Sequence, residues 1–105
     1  MLKLGQKIKF QKELIKDEYK RSSDTDQFYA KFPGSIANRE KHMRKHGVKD
    51  NGKVMEGIMC GKRVIDMDGC PDEGYFQPGH KQIVYLIAVD VRGFHRVPEE
   101  FIIKD

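Results

Sequence analysis

The chain is poor in cysteine, has no long apolar run and contains no internal repeat. Its two cysteines, Cys60 and Cys70, are too few for a disulfide framework, and they form no Cys-x-x-Cys pair of the kind that marks a zinc ribbon. No stretch approaches the roughly 18 apolar residues of a membrane-crossing helix. The opening residues Met-Leu-Lys-Leu-Gly-Gln-Lys lack the apolar segment of a secretion signal. These absences lead to the expectation of an intracellular protein with reduced thiols. Glycine-rich phosphate loops are missing too. The acids Asp66, Asp68, Asp72 and Glu73 are clustered without the spacing of an EF-hand, so an exposed acidic loop is the simpler reading.

What is present suits one small domain. With 105 residues, 38% apolar and 34% charged, the chain can build one modest core, and its apolar residues bunch into short runs. Charge is uneven along the chain: residues 1–49 hold 13 Lys and Arg against 6 Asp and Glu, and residues 50–105 hold 7 against 10. A basic front half points to an anionic partner, nucleic acid or an acidic protein surface, with a solvated lysine-rich surface as the plain alternative.

Strand signals dominate the pass along the chain. Leu4, Ile8 and Phe10 alternate with Lys3, Lys7 and Lys9, the period of a half-buried strand. Residues 11–53 then read as a long insertion. Asp24-Thr25-Asp26-Gln27 offers caps for a helical turn carrying Phe28 and Tyr29, which Pro33-Gly34 ends. A second helix is predicted over about 35–46, capped by Ser35 and closed by Gly47. Asp50-Asn51-Gly52 signals a turn into a long strand over 54–67. Residues 68–74 and 77–80 read as loop, 82–91 as a central strand apolar on both faces, and Arg92-Gly93 as a tight turn into 94–97. Pro98 opens a helical turn, and Phe101-Ile102-Ile103 forms a last short strand.

That order is the order of a mostly β fold, a five-stranded SH3-like barrel with a long, partly helical insertion between its first and second strands. Its expected core comprises Leu4, Ile8, Phe10, Ile58, Val64, Tyr85, Ile87, Val97 and Ile102. Three stretches carry a resemblance as well: 4–10 near the start, Glu56-Gly57-Ile58-Met59-Cys60-Gly61-Lys62-Arg63 in the middle, and 84–88 with 92–102 at the end. In these the chain resembles a family of small proteins encoded by phages and prophages of Gram-positive bacteria, and some small phage proteins of similar size act as type II anti-CRISPR inhibitors. The resemblance implies phage origin, an SH3-like barrel and work in the cytoplasm of an infected bacterium. Built on that origin, the expected function is a non-catalytic inhibitor of a host defence complex, an RNA-guided nuclease among them.

Two constellations carry candidate chemistry. His42 and His46 are four apart, so a helix over 35–46 places both imidazoles on one face, and Cys70 and His80 flank the loop expected beside the insertion. Together His42, His46, Cys70 and His80 could close around structural zinc, with Cys60 as a substitute; the plain readings are a solvated histidine face and a small buried cysteine. The second constellation is the basic insertion. Lys20, Arg21, Arg39, Lys41, Arg44 and Lys45 form its candidate partner-binding surface, and with Tyr19, Phe28, Tyr29 and Phe32 it could instead bind nucleic acid, unless the aromatics pin the insertion to the barrel. Cys70 and His80 as nucleophile and base lack any identifiable oxyanion donor or orienting group, so no enzyme is expected.

Overall fold

A computed structural model describes residues 2–16, 21–32, 34–39, 44–67, 70–72, 75–77 and 80–104, with the side chains of residue 36 and of the 70–77 strands excepted. The elements in order are β1 (Lys7–Ile15), α1 (Ser23–Tyr29), α2 (Ile36–Arg39), β2 (Gly47–Asp66), β3 (Cys70–Asp72), β4 (Tyr75–Gln77), β5 (Lys81–Asp90), β6 (Gly93–Pro98), a 3-10 turn (Glu99–Phe101) and β7 (Ile102–Ile103). The protein is mostly β. Its main sheet has five strands in the order β2-β5-β6-β1-β7, and β2 also pairs with β1. β1 pairs antiparallel with β6 and with β7, and β5 with β6: Leu14 lies opposite Arg96, Phe10 opposite Ile102, and Tyr85 opposite Val97.

The chain forms two compact units. The first comprises Met1–Leu14, Lys49–Val64 and Ile83–Asp105; the second comprises Ile15–Val48 and Ile65–Gln82. In the first, Ile8, Phe10, Met59, Ile87, Val97 and Ile102 form one buried cluster, against which Leu2, Met55, Tyr85, Val89 and Phe101 pack. Gly57 lies against the neighbouring strand so closely that a Cβ there would stand 2.5 Å from the carbonyl oxygen of Ala88. Any side chain at that position must push β2 away from β5.

The second unit is built differently. Ser22 caps α1, its Oγ accepting from the Thr25 N–H at 3.1 Å. Phe28, Tyr29 and Phe32 meet edge to face, with ring centroids 6.0–6.1 Å apart. Asn38 fastens the segment after the helix, its Nδ2 donating to the carbonyls of Tyr29 and Phe32 at 2.6 and 2.8 Å. The Thr25 hydroxyl accepts from the Val48 N–H at 2.9 Å, so a side chain of α1 serves the start of β2.

Several sequence expectations need correction. Residues 3–6 form a turn, with Gly5 at φ +82° and the Gln6 N–H bonded to the Lys3 carbonyl, so β1 starts only at Lys7 and Leu4 is exposed. The strand then runs on to Ile15, into what had read as insertion, and β2 begins already at Gly47. Asp50-Asn51-Gly52 does not turn the chain. Gly52 takes φ +75° with its N–H on Asp50 Oδ1, an irregularity inside a continuing strand. Ile58 and Val64 are exposed, because β2 turns Gly57 and Met59 inward. Tyr85 is only partly buried and packs at the margin of the cluster. Part of what reads as loop at 68–74 and 77–80 is strand: β3 pairs with β4, with Cys70 opposite Gln77. Of the predicted 35–46 helix, Ile36–Arg39 is helical as α2 and Arg44–His46 are not, while 40–43 lie outside the described residues.

Candidate functional site

Of the two histidines expected on one helix face, His46 is not helical. His42 lies outside the described residues. His46 stands in irregular chain just before β2, buried, with its backbone N–H directed to the Tyr29 hydroxyl at 3.4 Å. The four-residue spacing therefore loses its helical basis. His80 is exposed, its ring 5.4 Å from that of Phe32 and its carbonyl accepting from the Met67 N–H. Cys70 opens β3, and its side chain lies outside the described residues. Cys60 is an exposed thiol of the first unit, whereas Cys70, His46 and His80 belong to the second. Among the described residues no group of three or more His, Cys, Asp and Glu side chains stands ready for a metal ion.

The basic insertion also changes character. Arg44 is 3% exposed. Its Nη1 bonds Asp26 Oδ1 at 2.6 Å, its Nε donates to the Ala37 carbonyl, and its guanidinium lies 4.8 Å from the Tyr29 ring centroid. This side chain holds the second unit together and is not a solvated charge. Lys31 rides over the Phe28 ring at 4.1 Å. Arg21, Arg39 and Lys45 are exposed, as a contact surface requires, and Lys20 and Lys41 lie outside the described residues. Phe28, Tyr29 and Phe32 are buried in their own cluster, so they offer no face for stacking on bases.

Charge sorts by folded unit rather than by half of the chain. The first unit carries 11 Lys and Arg against 7 Asp and Glu, and the second 9 against 9. The whole net charge of +4 thus belongs to the first unit. One of its seven acids is withdrawn from the surface: Glu13 is 6% exposed, and its Oε2 meets His95 Nδ1 at 2.8 Å and accepts from Asn51 Nδ2 at 2.9 Å. Gln11 joins this network, its carbonyl accepting from Asn51 Nδ2 and its own amide donating to Asp50 Oδ1 at 2.8 Å. Those bonds and the Gly52 N–H favour the charged form of Asp50 and hold its carboxyl below the ordinary value of 3.8.

The first unit also carries a groove of about 650 Å3, walled by Leu2, Leu4, Met59 and Tyr85 and rimmed by Lys62 and Glu99. Glu99 has Lys104 beside it at 3.7 Å, while Lys62 makes no ion pair among the described residues. The rim therefore offers a cation above an apolar floor. The sequence reading missed this groove because Leu2 had no assigned role and Leu4 was placed in the core.

No helix among the described residues is long and apolar enough to cross a membrane. Compared with protein-family models, curated proteins and solved structures, the chain matches none.

Proposed function

We propose that this chain is a non-catalytic phage protein that inhibits a bacterial defence complex, an RNA-guided nuclease in the host cytoplasm, by docking onto it. The observation that carries the reading is the groove of the first unit: an apolar floor beside Lys62, which has no ion pair among the described residues, in a β-sheet unit with a buried core. Apolar anchoring in a preformed recess, with charge at the rim to steer encounter, is how a small rigid inhibitor binds. The SH3-like barrel belongs to the same reading. It is supported by the pairing β2-β5-β6-β1, which returns from β1 to β2, and by the short β7 beside β1.

Adding the purified chain to RNA-guided nucleases tests the proposal. Stoichiometric loss of cleavage is expected, and Leu4→Asp with Lys62→Glu should abolish it while leaving the circular dichroism spectrum unchanged, since both side chains are exposed. No inhibition, or inhibition indifferent to that double variant, would remove the groove from the mechanism. In this reading a zinc ion held by His42, His46, Cys70 and His80 staples the second unit. About one equivalent of zinc, lost in Cys70→Ser, supports it; metal-free protein from a purification without chelator or metal-affinity column ends it.

A second reading, a nucleic-acid-binding module of phage replication or transcription, is favoured by one observation: the surplus of positive charge gathered on the first unit.

A further inference from the structure

The β5–β6 hairpin turns a cationic, aromatic face outward. Phe94 pairs across the strands with Ala88, and Arg96 with Leu86. Two residues apart on one strand, Phe94 and Arg96 project from the same side, and the intervening His95 and following Val97 from the other. Val97 is fully buried in the core, which fixes the Phe94 side as the outer one. There the Phe94 ring is 54% exposed, beside the partly buried Ala88 and Leu86. Arg92 precedes Phe94 by two residues and Arg96 follows it by two; both are exposed and neither side chain has an ion pair among the described residues. Beside it in the sheet, Gly57 of β2 lies tight against Ala88 and Ile87 of β5.

We infer that this face binds single-stranded nucleic acid, with Phe94 as the stacking platform and Arg92 and Arg96 as phosphate contacts. The inference rests on the nucleic-acid reading above, and it moves the surface from the insertion to the β5–β6 hairpin. Two features select the ligand. The net positive charge of the first unit calls for an anion, and an exposed ring flanked in sequence by two arginines without an ion pair among the described residues calls for one that carries flat π-systems along a charged backbone. A duplex keeps its bases stacked inside and gives Phe94 nothing to cover. An acidic protein surface would use the arginines and leave the ring idle.

Fluorescence anisotropy with a labelled oligothymidylate, a matching RNA oligomer and a random duplex of equal length, each at low and moderate salt, tests this. The single strands should bind more tightly than the duplex, and added salt should weaken them. Phe94→Ala should weaken single-strand binding by about 5- to 150-fold, the effect of losing one stacked base. Arg92→Ala with Arg96→Ala should flatten the slope of log affinity against log salt by about 1.4, from two lost phosphate contacts at about 0.7 each. If Phe94→Ala disturbs folding, Phe94→Leu keeps the apolar contact and removes the ring, and the same weakening is expected. Binding that tolerates these variants but fails with Arg39→Glu and Lys45→Glu overturns the inference and leaves the nucleic-acid reading standing. No binding of any oligomer at low salt overturns both. Equal binding to duplex, indifferent to Phe94, marks plain charge attraction and also overturns the inference.

Discussion

The two units of this chain bury different kinds of atom. In the first, the core is aliphatic and sulfur-bearing apart from Phe10, drawn from sheet residues that alternate inward, and its charges stay outside apart from Glu13. In the second, three aromatic rings share the interior with Thr25, Ser35, Arg44 and His46, all buried. Burial of apolar area is undirected, so the first unit tolerates small shifts of its parts. A buried guanidinium or hydroxyl is stable only while its partners hold position, so the second unit is specified by a few directional bonds. The difference also explains the charge balance. The second unit turns some of its cations on its own acids and rings, Arg44 on Asp26 and Tyr29 and Lys31 on Phe28. The first leaves its cations facing outward.

The largest effect expected from this contrast is at Arg44. Replacing it by Glu removes the bonds to Asp26 and Ala37 and buries a second carboxylate next to Asp26, at a cost of about 3–5 kcal/mol. Urea denaturation followed by hydrogen exchange should show the α1 amides losing protection. A variant as stable as the parent would mean that the second unit does not depend on its buried cation. Ile87→Ala is the apolar counterpart in the first unit, where the side chain is fully buried, and about 2–5 kcal/mol is expected. Its loss should lower the denaturation midpoint, and protection should fall first in β5 and β6.

Thr25→Val sharpens the comparison, because it removes one oxygen and keeps the shape. The hydroxyl accepts from the Val48 N–H and is 2.8 Å from Ser22 Oγ, so the buried N–H loses its acceptor, at about 1–3 kcal/mol. An apolar interior would accept that exchange readily. A neutral result in thermal melts would therefore place the second unit with the first, as a core held by area alone.

How far the sequence disclosed this arrangement depends on what each residue had to specify. Ile8 and Phe10 were legible as core because period-two alternation fixes a face once the strand is recognised, whereas Ile87, Val97 and Ile102 were placed there with their apolar strands, with no alternation in 83–89 to set the phase. In β2 the run Ile58-Met59-Cys60 is apolar throughout and carries no phase, so the inward residue, Met59, could not be told from Ile58. Asp50-Asn51-Gly52 showed the right chemistry, a side-chain oxygen on an N–H two residues later and a positive φ, in the wrong role. Local signals of this kind state a conformation and leave to the wider sheet whether the chain reverses there. Arg44 was least legible. A lysine-rich neighbourhood reads as solvent-facing, and only the approach of Asp26 and Tyr29, distant in sequence, makes one of its cations interior. For the same reason charge tallied along the chain located the basic surface in the insertion, whereas charge tallied by folded unit locates it on the sheet.

The smallest effect is expected at the edge of the first unit's polar network. Asp50 is exposed, and its carboxyl is held below the ordinary 3.8 first by the Gln11 amide, then by the Gly52 N–H, with desolvation opposing them and Lys12 adding a smaller attraction. In the unfolded chain these bonds are gone and the carboxyl returns to its ordinary value. A group whose folded pKa lies below its unfolded one releases its proton more readily when folded, so it stabilises the fold above the unfolded value. That contribution fades as pH falls through the folded value. Asp50→Asn should therefore melt slightly lower than the parent at neutral pH, with the gap constant down to about pH 5 and closing through the range below 3.8. Melting temperatures of both proteins across that range check it. A gap that persists undiminished into strong acid would assign the role of Asp50 to its shape in the Gly52 irregularity, where asparagine serves almost as well, rather than to its charge.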